Sequence, residues 1–378
     1  MSNKSFFARP RALFARLLLL VSVWLLVVAC SHPVQSHAET TTLQAVAPTG
    51  FVMGTAVSNQ PSALADSQYT SIAAQNFGSV TPDMAFKWGI IHPSAKTYSW
   101  TESDRALNQA EANHQLVRGH TLLWDGALPG EVRTSIKTCA DARTILKDHI
   151  TTVVGHYRGR IWQWDVANEL FDDQGKLRDT NPFLKACGPS IVADAFRWAH
   201  AADPAAKLYL NEYSTLEPGP KTDAEYVLVR QLWSARVPIN GVGFQAHLQL
   251  VTGVPSTASA QLGRYARLGL DTMITEADVR MQVPLQPAAA GDALNQQAAV
   301  YRSLLDVCLA QRRCVGFTIW GFTDKYSWVA ESLPGEGNAC LMDDHMQARP
   351  AWSALESRLR AGRKVTAQRS AIPSSIPS

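Results

Sequence analysis

Apolar, β-branched and aromatic residues recur along the chain in eight short runs, each of a length that suits a buried strand. The runs occupy residues 51–57, 77–84, 116–124, 161–169, 207–213, 242–248, 272–279 and 315–322. Amphipathic stretches lie between them, and in residues 141–157, 191–201 and 292–310 apolar positions recur about every 3.6 residues. Strands that alternate with helices in this way predict an α/β fold of one domain, the (β/α)8 TIM barrel.

The chain begins with a pattern that directs export. Four basic side chains between residues 4 and 16 precede an apolar segment at residues 17–28, which is short for a membrane span. That segment ends at Val27-Val28-Ala29-Cys30, which resembles a bacterial lipobox. We therefore predict a lipoprotein-type signal peptide at residues 1–29, a lipid on Cys30, and a location in the bacterial cell envelope (outer membrane or periplasm). The alternatives are secretion after cleavage at Ala38 and, less favoured, a retained transmembrane helix.

The segments that flank the barrel are polar. Residues 30–46 are predicted to form a flexible spacer, and the barrel domain is predicted at residues 47–361. The remaining tail, residues 362–378, is rich in Pro and Ser, so we expect it to be disordered.

Export permits disulfide bonds. Cys308 and Cys314 bracket a helix-to-strand corner and are predicted to close a short loop, and Cys139 with Cys187 is a second predicted pair. This pairing leaves Cys340 over.

Composition limits the partners and cofactors. The formal net charge is only +3, and part of it lies in the export segment, so nothing favours a nucleic-acid partner. Cysteine and histidine spacing fits no zinc site, and no calcium-loop signature occurs, so we expect no metal and no cofactor. We expect a monomer. The eleven Trp residues offer platforms for sugar rings, although most Trp side chains in proteins belong to the core.

Two carboxylates follow strand-like runs, Glu169 at the end of the fourth and Glu276 in the seventh. A buried carboxylate is costly unless it has a partner or a task. In a TIM barrel the C-terminal strand ends share one face, where active sites are built. Further polar and Trp side chains follow the predicted strands at the same face: Lys87, His120, Trp124, Asn168, Gln245, His247, Trp320 and Trp328. Two glutamates on this face suggest the paired carboxyl groups of glycoside hydrolysis.

Seven motifs in order resemble glycoside hydrolase family 10, the retaining endo-β-1,4-xylanases. They are FKW at 86–88, GHTLLW at 119–124, WDVANE at 164–169, LNEY at 210–213, GVGFQAHL at 241–248, ITEAD at 274–278 and WGFTDKYSW at 320–328. The resemblance extends from about residue 51 to residue 352.

The resemblance implies a role for each site residue. Glu169 is expected to be the general acid/base, Glu276 the nucleophile, and His247 the side chain that orients the nucleophile. The expected substrate-binding residues are Lys87, His120, Trp124, Asn168, Gln245, Trp320 and Trp328. The implied reaction is cleavage of internal β-1,4 bonds of xylan or a xylan-like polysaccharide with net retention.

The chain departs from the family pattern at three positions in the glycone subsites. Asp83 replaces a Glu, Met84 replaces an Asn that contacts sugar hydroxyls, and Ala127 replaces a Gln. Each lost hydrogen bond costs about 1–3 kcal/mol where the remaining group is buried. These changes therefore leave two alternatives: a β-glycosidase of a different polymer, such as an exopolysaccharide, and a catalytically idle carbohydrate-binding surface protein.

Overall fold

The computed structural model describes residues 42–362. The predicted signal peptide, Cys30 and all but the first residue of the predicted disordered tail lie outside the described residues.

Eight parallel strands close a barrel, which confirms the predicted fold. Each strand pairs with the next barrel strand along the chain, and the last pairs with the first, with Val52 opposite Gly316. The barrel strands are β1 (Val52–Val57), β2 (Ser79–Pro82), β3 (Leu116–Leu123), β4 (Gln163–Asn168), β5 (Lys207–Glu212), β6 (Gly241–Phe244), β8 (Asp271–Gln282) and β9 (Cys314–Ile319). Two short strands, β7 (His247–Gln249) and β10 (Glu336–Gly337), pair with the far end of β8.

Helices lie between the strands. They are α1 (Pro61–Ala65), α2 (Ser67–Asn76), α3 (Trp88–Ile91), α4 (Thr101–Ala112), α5 (Gly130–Ser135), α6 (Cys139–His156), α7 (Pro182–Cys187), α8 (Ser190–Ala202), α9 (Pro220–Ser234), α10 (Ala258–Arg267), α11 (Pro287–Ala310), α12 (Val329–Ser332) and α13 (Pro350–Arg360). Helix α6 begins with a capping box, in which Thr138 and Asp141 each accept the other's backbone N–H. No helix in residues 42–362 is long and apolar enough to cross a membrane.

The predicted sixth strand is broken in the structure. Strand β6 ends at Phe244, Ala246 adopts a φ of 62°, and β7 begins at His247. A left-handed residue interrupts the ladder and changes the direction of the chain. The break lies beside the cleft and turns His247 away from the course of β6.

The interior near β3 and β4 is filled by one large side chain. Trp164 is fully buried, and its ring lies against Gly119, where any side chain would collide with the indole. Phe86 packs edge-on to Trp164, with ring centroids 5.6 Å apart. The segment that carries Lys87 is thereby anchored in the core.

The last residues of the predicted spacer belong to the folded domain. Leu43 is fully buried, and the Gln44 side chain accepts the N–H of Met53 at 2.8 Å and donates to the carbonyl of Phe51 at 3.2 Å. Gln44 thus pairs with backbone at the start of β1, and the packed chain begins before residue 47. The other domain boundaries stay predictions.

Both predicted disulfides form. Cys139 and Cys187 have Cα atoms 4.8 Å apart, and Cys308 and Cys314 have Cα atoms 5.3 Å apart. Cys340 keeps a buried thiol, and burial raises the pKa of that thiol well above its ordinary value. Two disulfides fit an exported protein.

A buried histidine pair lies beneath α3. The Nδ1 atoms of His92 and His149 are 3.2 Å apart, so one ring donates and the other accepts. Trp88 stacks on His149 with ring centroids 3.5 Å apart. Burial lowers the pKa of His149 well below 6.5 and also lowers the pKa of His92.

This pair predicts a loss of stability in acid. Below pH 6.5 His149 binds a proton in the unfolded protein but stays unprotonated in the folded protein. The free energy of unfolding therefore falls by about 1.4 kcal/mol for each pH unit. When the pH falls from 6.5 to 5.0, we expect the free energy of unfolding of His149→Phe to decrease by about 2 kcal/mol less than that of the unsubstituted protein. Guanidinium unfolding at both pH values measures the difference. The exposed His345→Gln is the control, and identical losses in all three proteins would contradict the prediction.

Candidate active site

A cleft of about 470 Å³ opens at the C-terminal ends of the barrel strands. Nine of the ten predicted catalytic and substrate-binding residues line it, and Asn168 lies just beneath, almost fully buried. Four further residues, Tyr213, Ser214, Arg280 and Leu333, complete the lining.

Glu169 lies immediately after β4, and its φ of 54° places it in the left-handed region. Its Oε2 accepts the indole N–H of Trp124 at 3.1 Å. Its Oε1 accepts the amide N–H groups of Gln245 at 3.1 Å and Asn168 at 3.2 Å. The three donors are neutral and leave about one of the four lone-pair positions of the carboxyl group unused.

Glu276 is held by different partners. Its Oε1 accepts from Asn211 at 2.7 Å, and its Oε2 lies 3.2 Å from Nε2 of His247. Burial alone would raise the pKa of Glu276, but the hydrogen bond from His247 and the charges of His247 and His120 hold it below 4.5. Glu276 is therefore ionised at neutral pH.

His247 carries the charge that keeps Glu276 ionised. Its Nδ1 lies 2.7 Å from Oδ2 of Asp278, which also accepts the indole N–H of Trp328 at 3.0 Å. Both ring nitrogens face carboxylate oxygens, so both carry protons. Burial opposes this charge, but Asp278 and Glu276 outweigh burial and raise the pKa of His247 to about 10.

Two asparagines connect the glutamates. Asn211 donates from its Nδ2 to Oδ1 of Asn168 at 2.9 Å as well as to Glu276, and its Oδ1 accepts from Thr275 at 2.7 Å. Asn168 in turn donates to Glu169. A continuous chain of amide hydrogen bonds therefore fixes the position of one carboxyl group relative to the other.

His120 contacts the barrel interior through one nitrogen. Its Nδ1 lies 3.0 Å from Oδ2 of Asp165, which also accepts from Nε of Arg118 at 2.9 Å. Burial alone would raise the pKa of Asp165, but Arg118 and His120 hold it below its usual range. With Nδ1 occupied, His120 keeps Nε2 for the cleft, and its ring packs against Trp320 with centroids 5.3 Å apart.

Lys87 also lines the cleft. Its Nζ lies 4.9 Å from the ring centroid of Trp124. Burial lowers the pKa of Lys87, while the charges of Glu276, Asp83 and Glu169 oppose that shift.

Two of the three departures act on the cleft through backbone. The carbonyl of Met84 accepts the N–H of Lys87 at 2.9 Å, and the carbonyl of Ala127 accepts the N–H of Gly89 at 2.9 Å. Asp83 has a buried Oδ1 with no hydrogen-bond partner among residues 42–362, and burial raises its pKa against the opposing charge of Lys87. None of the three is among the described residues that line the cleft.

The predicted set of site residues lacks two that the structure brings to the glutamates. Asn211 bridges the two halves of the site, and Asp278 fixes His247. Asp278 carried a signal, because it lies two residues after Glu276 and so on the same face of β8. Within residues 42–362, no cluster of three or more His, Cys, Asp or Glu side chains is arranged to hold a metal ion.

Comparison with known proteins identifies the family. The model of glycosyl hydrolase family 10 matches residues 42–358. The chain belongs to glycoside hydrolase family 10. This confirms the resemblance inferred from the seven motifs.

Curated family members include endo-1,4-beta-xylanase A of Phanerodontia chrysosporium, 39% identical over 80% of this chain and 72% of that protein. Endo-1,4-beta-xylanase 5 of Pyricularia oryzae is 39% identical over 82% of this chain and 76% of that protein.

Solved structures of the family are similar throughout. Native xylanase 10B of Thermotoga maritima has a TM-score of 0.81 and 36% identity, covering 85% of this chain and 98% of that one. Xylanase 10B of Thermotoga petrophila in complex with xylobiose has a TM-score of 0.82 and 35% identity, covering 86% of this chain and 99% of that one.

The charge on His247 leads to a prediction for the acid limb of the pH dependence of kcat/KM. His247→Ala removes the cation beside Glu276, so the pKa of Glu276 rises, by about 1–3 units. The acid limb of kcat/KM on an aryl β-xyloside should move to higher pH by that amount. Trp328→Phe, which keeps His247, is the control, and its acid limb should shift less than that of His247→Ala. An acid limb that stays in place in His247→Ala would contradict the assignment.

Proposed function

We propose that this protein is a retaining endo-1,4-β-xylanase that hydrolyses internal bonds of xylan by double displacement. The observation that carries the proposal is the difference between two carboxyl groups in one cleft. Glu276 is ionised beside a cation, and Glu169 is surrounded by neutral donors. Membership of family 10 and the xylanase names of the relatives support this reaction and substrate.

In the first step, Glu276 attacks the anomeric carbon and the glycosidic C–O bond breaks. The leaving oxygen takes the proton of Glu169, and the sugar remains bonded to Glu276 as a glycosyl-enzyme. His247 and Asn211 hold the attacking carboxylate, one on each oxygen. Because Asp278 fixes the imidazole, the nucleophile keeps one orientation.

In the second step, Glu169 acts as the base. It takes a proton from water as the water oxygen attacks the anomeric carbon, and Glu276 leaves as a carboxylate. The N–H groups of Trp124 and Gln245 hold the Glu169 carboxyl group in one place for both proton transfers.

The other cleft residues are proposed to bind the polysaccharide. Asn168 carries an N–H next to Glu169 and is proposed to contact the sugar 2-hydroxyl. Lys87, His120 and Gln245 are proposed to line the glycone side, with Trp124, Trp320 and Trp328 as walls. Neither alternative, a glycosidase of another polymer or an idle binding protein, is favoured, since both glutamates and His247 converge in the cleft of a family whose named relatives are xylanases.

The two glutamates should respond differently to substitution. Glu276→Ala should abolish release of reducing sugar from xylan, whereas mixed-linkage glucan, mannan and a bacterial exopolysaccharide should stay undigested by either protein. Glu169→Ala should lower kcat/KM on xylan by about 10²–10⁴-fold and affect an activated aryl glycoside far less, because only xylan needs the proton. Circular dichroism checks that both variants fold. Equal losses on both substrates would refute the acid assignment, and turnover of another polymer alone would refute xylan.

We also propose that the exported protein is a lipoprotein anchored through Cys30 in the cell envelope. The sequence Val27-Val28-Ala29-Cys30 supports this proposal. In a bacterial host, metabolic labelling with a fatty acid should mark the full chain and not Cys30→Ala, while Cys340→Ala serves as the matched control. Labelling of Cys30→Ala, or an unlabelled full chain released to the medium after Ala38, would contradict it. The monomeric state stays a prediction.

A further inference from the structure

The residues after Glu169 form a tight hairpin. The N–H of Arg178 binds the carbonyl of Leu170 at 2.9 Å, and Phe171 forms a bridge with Leu177. Near its tip, Gly175 has a φ of 77° and approaches the start of α9 so closely that any side chain there would collide with the carbonyl of Pro220. The hairpin is thus packed on α9.

Glu212, the last residue of β5, fixes the base of this hairpin. Its carboxylate is fully buried and accepts the N–H of Phe171 at 3.3 Å through Oε2 and the N–H of Tyr213 at 3.1 Å through Oε1. Phe171 is two residues from Glu169, whose own N–H binds the carbonyl of Asn211 at 3.0 Å. Strand β5 therefore holds the chain on both sides of Leu170.

Lys221, in the first turn of α9, supplies the opposite charge. Its Nζ lies 2.9 Å from Oε1 of Glu212 and 2.8 Å from the ring centroid of Tyr213, which lines the cleft. The guanidinium of Arg178, from the hairpin, contacts the hydroxyl of the same tyrosine. Tyr213 is thereby held by both the hairpin and α9.

We propose that Glu212 and Lys221 are positioning residues for the acid/base: their buried ion pair fixes the hairpin in the geometry that keeps the Glu169 carboxyl group in line with the leaving oxygen. This inference rests on the proposed role of Glu169 and names the part of the fold that serves it. A left-handed φ at a glutamate is uncommon and persists only where surrounding contacts enforce it. The Glu212 contact lies two residues beyond that strained position.

Each charge of the pair depends on the other. Burial raises the pKa of Glu212 to about 7, while Lys221 opposes the shift. Burial likewise lowers the pKa of Lys221, and Glu212 opposes that shift. Removal of one partner would leave an uncompensated buried charge, whereas removal of both charges together is often neutral for stability.

The test compares two substrates with different leaving groups. Xylan needs a proton on its leaving oxygen, and dinitrophenyl β-xylobioside does not. Glu212→Ala should lower kcat/KM on xylan by about 100-fold, as expected when an acid is slightly misplaced, and change kcat/KM on the aryl glycoside little. The double variant Glu212→Gln, Lys221→Met keeps the shape without charges and should fold, with a loss on xylan in the same direction.

Two controls make the test specific. Glu225, in α9, is another fully buried carboxyl group, and burial raises its pKa well above 4.5. Glu225→Gln replaces this carboxyl group with an amide of nearly the same shape and should leave kcat/KM on both substrates unchanged. Glu169→Ala, on the same substrates, reports on the acid/base role itself.

The outcomes separate the two claims. The contrast to look for is a loss of kcat/KM on xylan that is much larger than the loss on the aryl glycoside. If Glu169→Ala shows this contrast and neither Glu212 variant does, the positioning role is wrong and the acid/base role stands. If Glu169→Ala shows no contrast, the proposed function fails first. Equal losses on both substrates in the folded double variant, or the same contrast in Glu225→Gln, would also overturn the positioning role.

Discussion

The two glutamates that share the cleft are held by different sets of partners, and the site depends on this difference. Glu276 faces a protonated His247, which Asp278 keeps charged, so the ionised form is favoured. Glu169 receives hydrogen bonds only from neutral indole and amide groups.

The barrel supplies these neighbours because its strand ends converge. Glu169 follows β4, Asn211 lies in β5, and Glu276 and Asp278 lie in β8, yet their side chains form one hydrogen-bonded chain. The break after β6 contributes as well. A strand continued through Ala246 would keep the alternation of β6, whereas the left-handed turn delivers His247 to both carboxylates. The left-handed positions at Glu169 and Ala246 therefore lie beside the cleft.

Much of this arrangement is predictable from the sequence. Eight apolar runs predict the barrel, and a barrel brings Glu169 and Glu276 to one face, so the proposed catalytic pair follows from the hydrophobic pattern and the topology. The turn at Ala246 leaves no trace, because alanine has no preference for a positive φ. The pairing of Glu212 with Lys221 cannot be read from the sequence for another reason. The two residues belong to different elements, and only the packing of the hairpin on α9 makes them neighbours. The role of Gln44 could not be predicted either, because its polar neighbours in the sequence suggest a solvated spacer.

The departures at Met84 and Ala127 have a structural explanation in the same terms. Both residues support the cleft through backbone carbonyls, to Lys87 and Gly89, and these bonds do not depend on the side chain. Side chains at 84 and 127 can therefore change without moving Lys87 or Trp124. Glu276, His247 and Asp278 are anchored in other strands and are insulated from such changes. The departures therefore leave Glu276 and the side chains that are hydrogen-bonded to it unchanged.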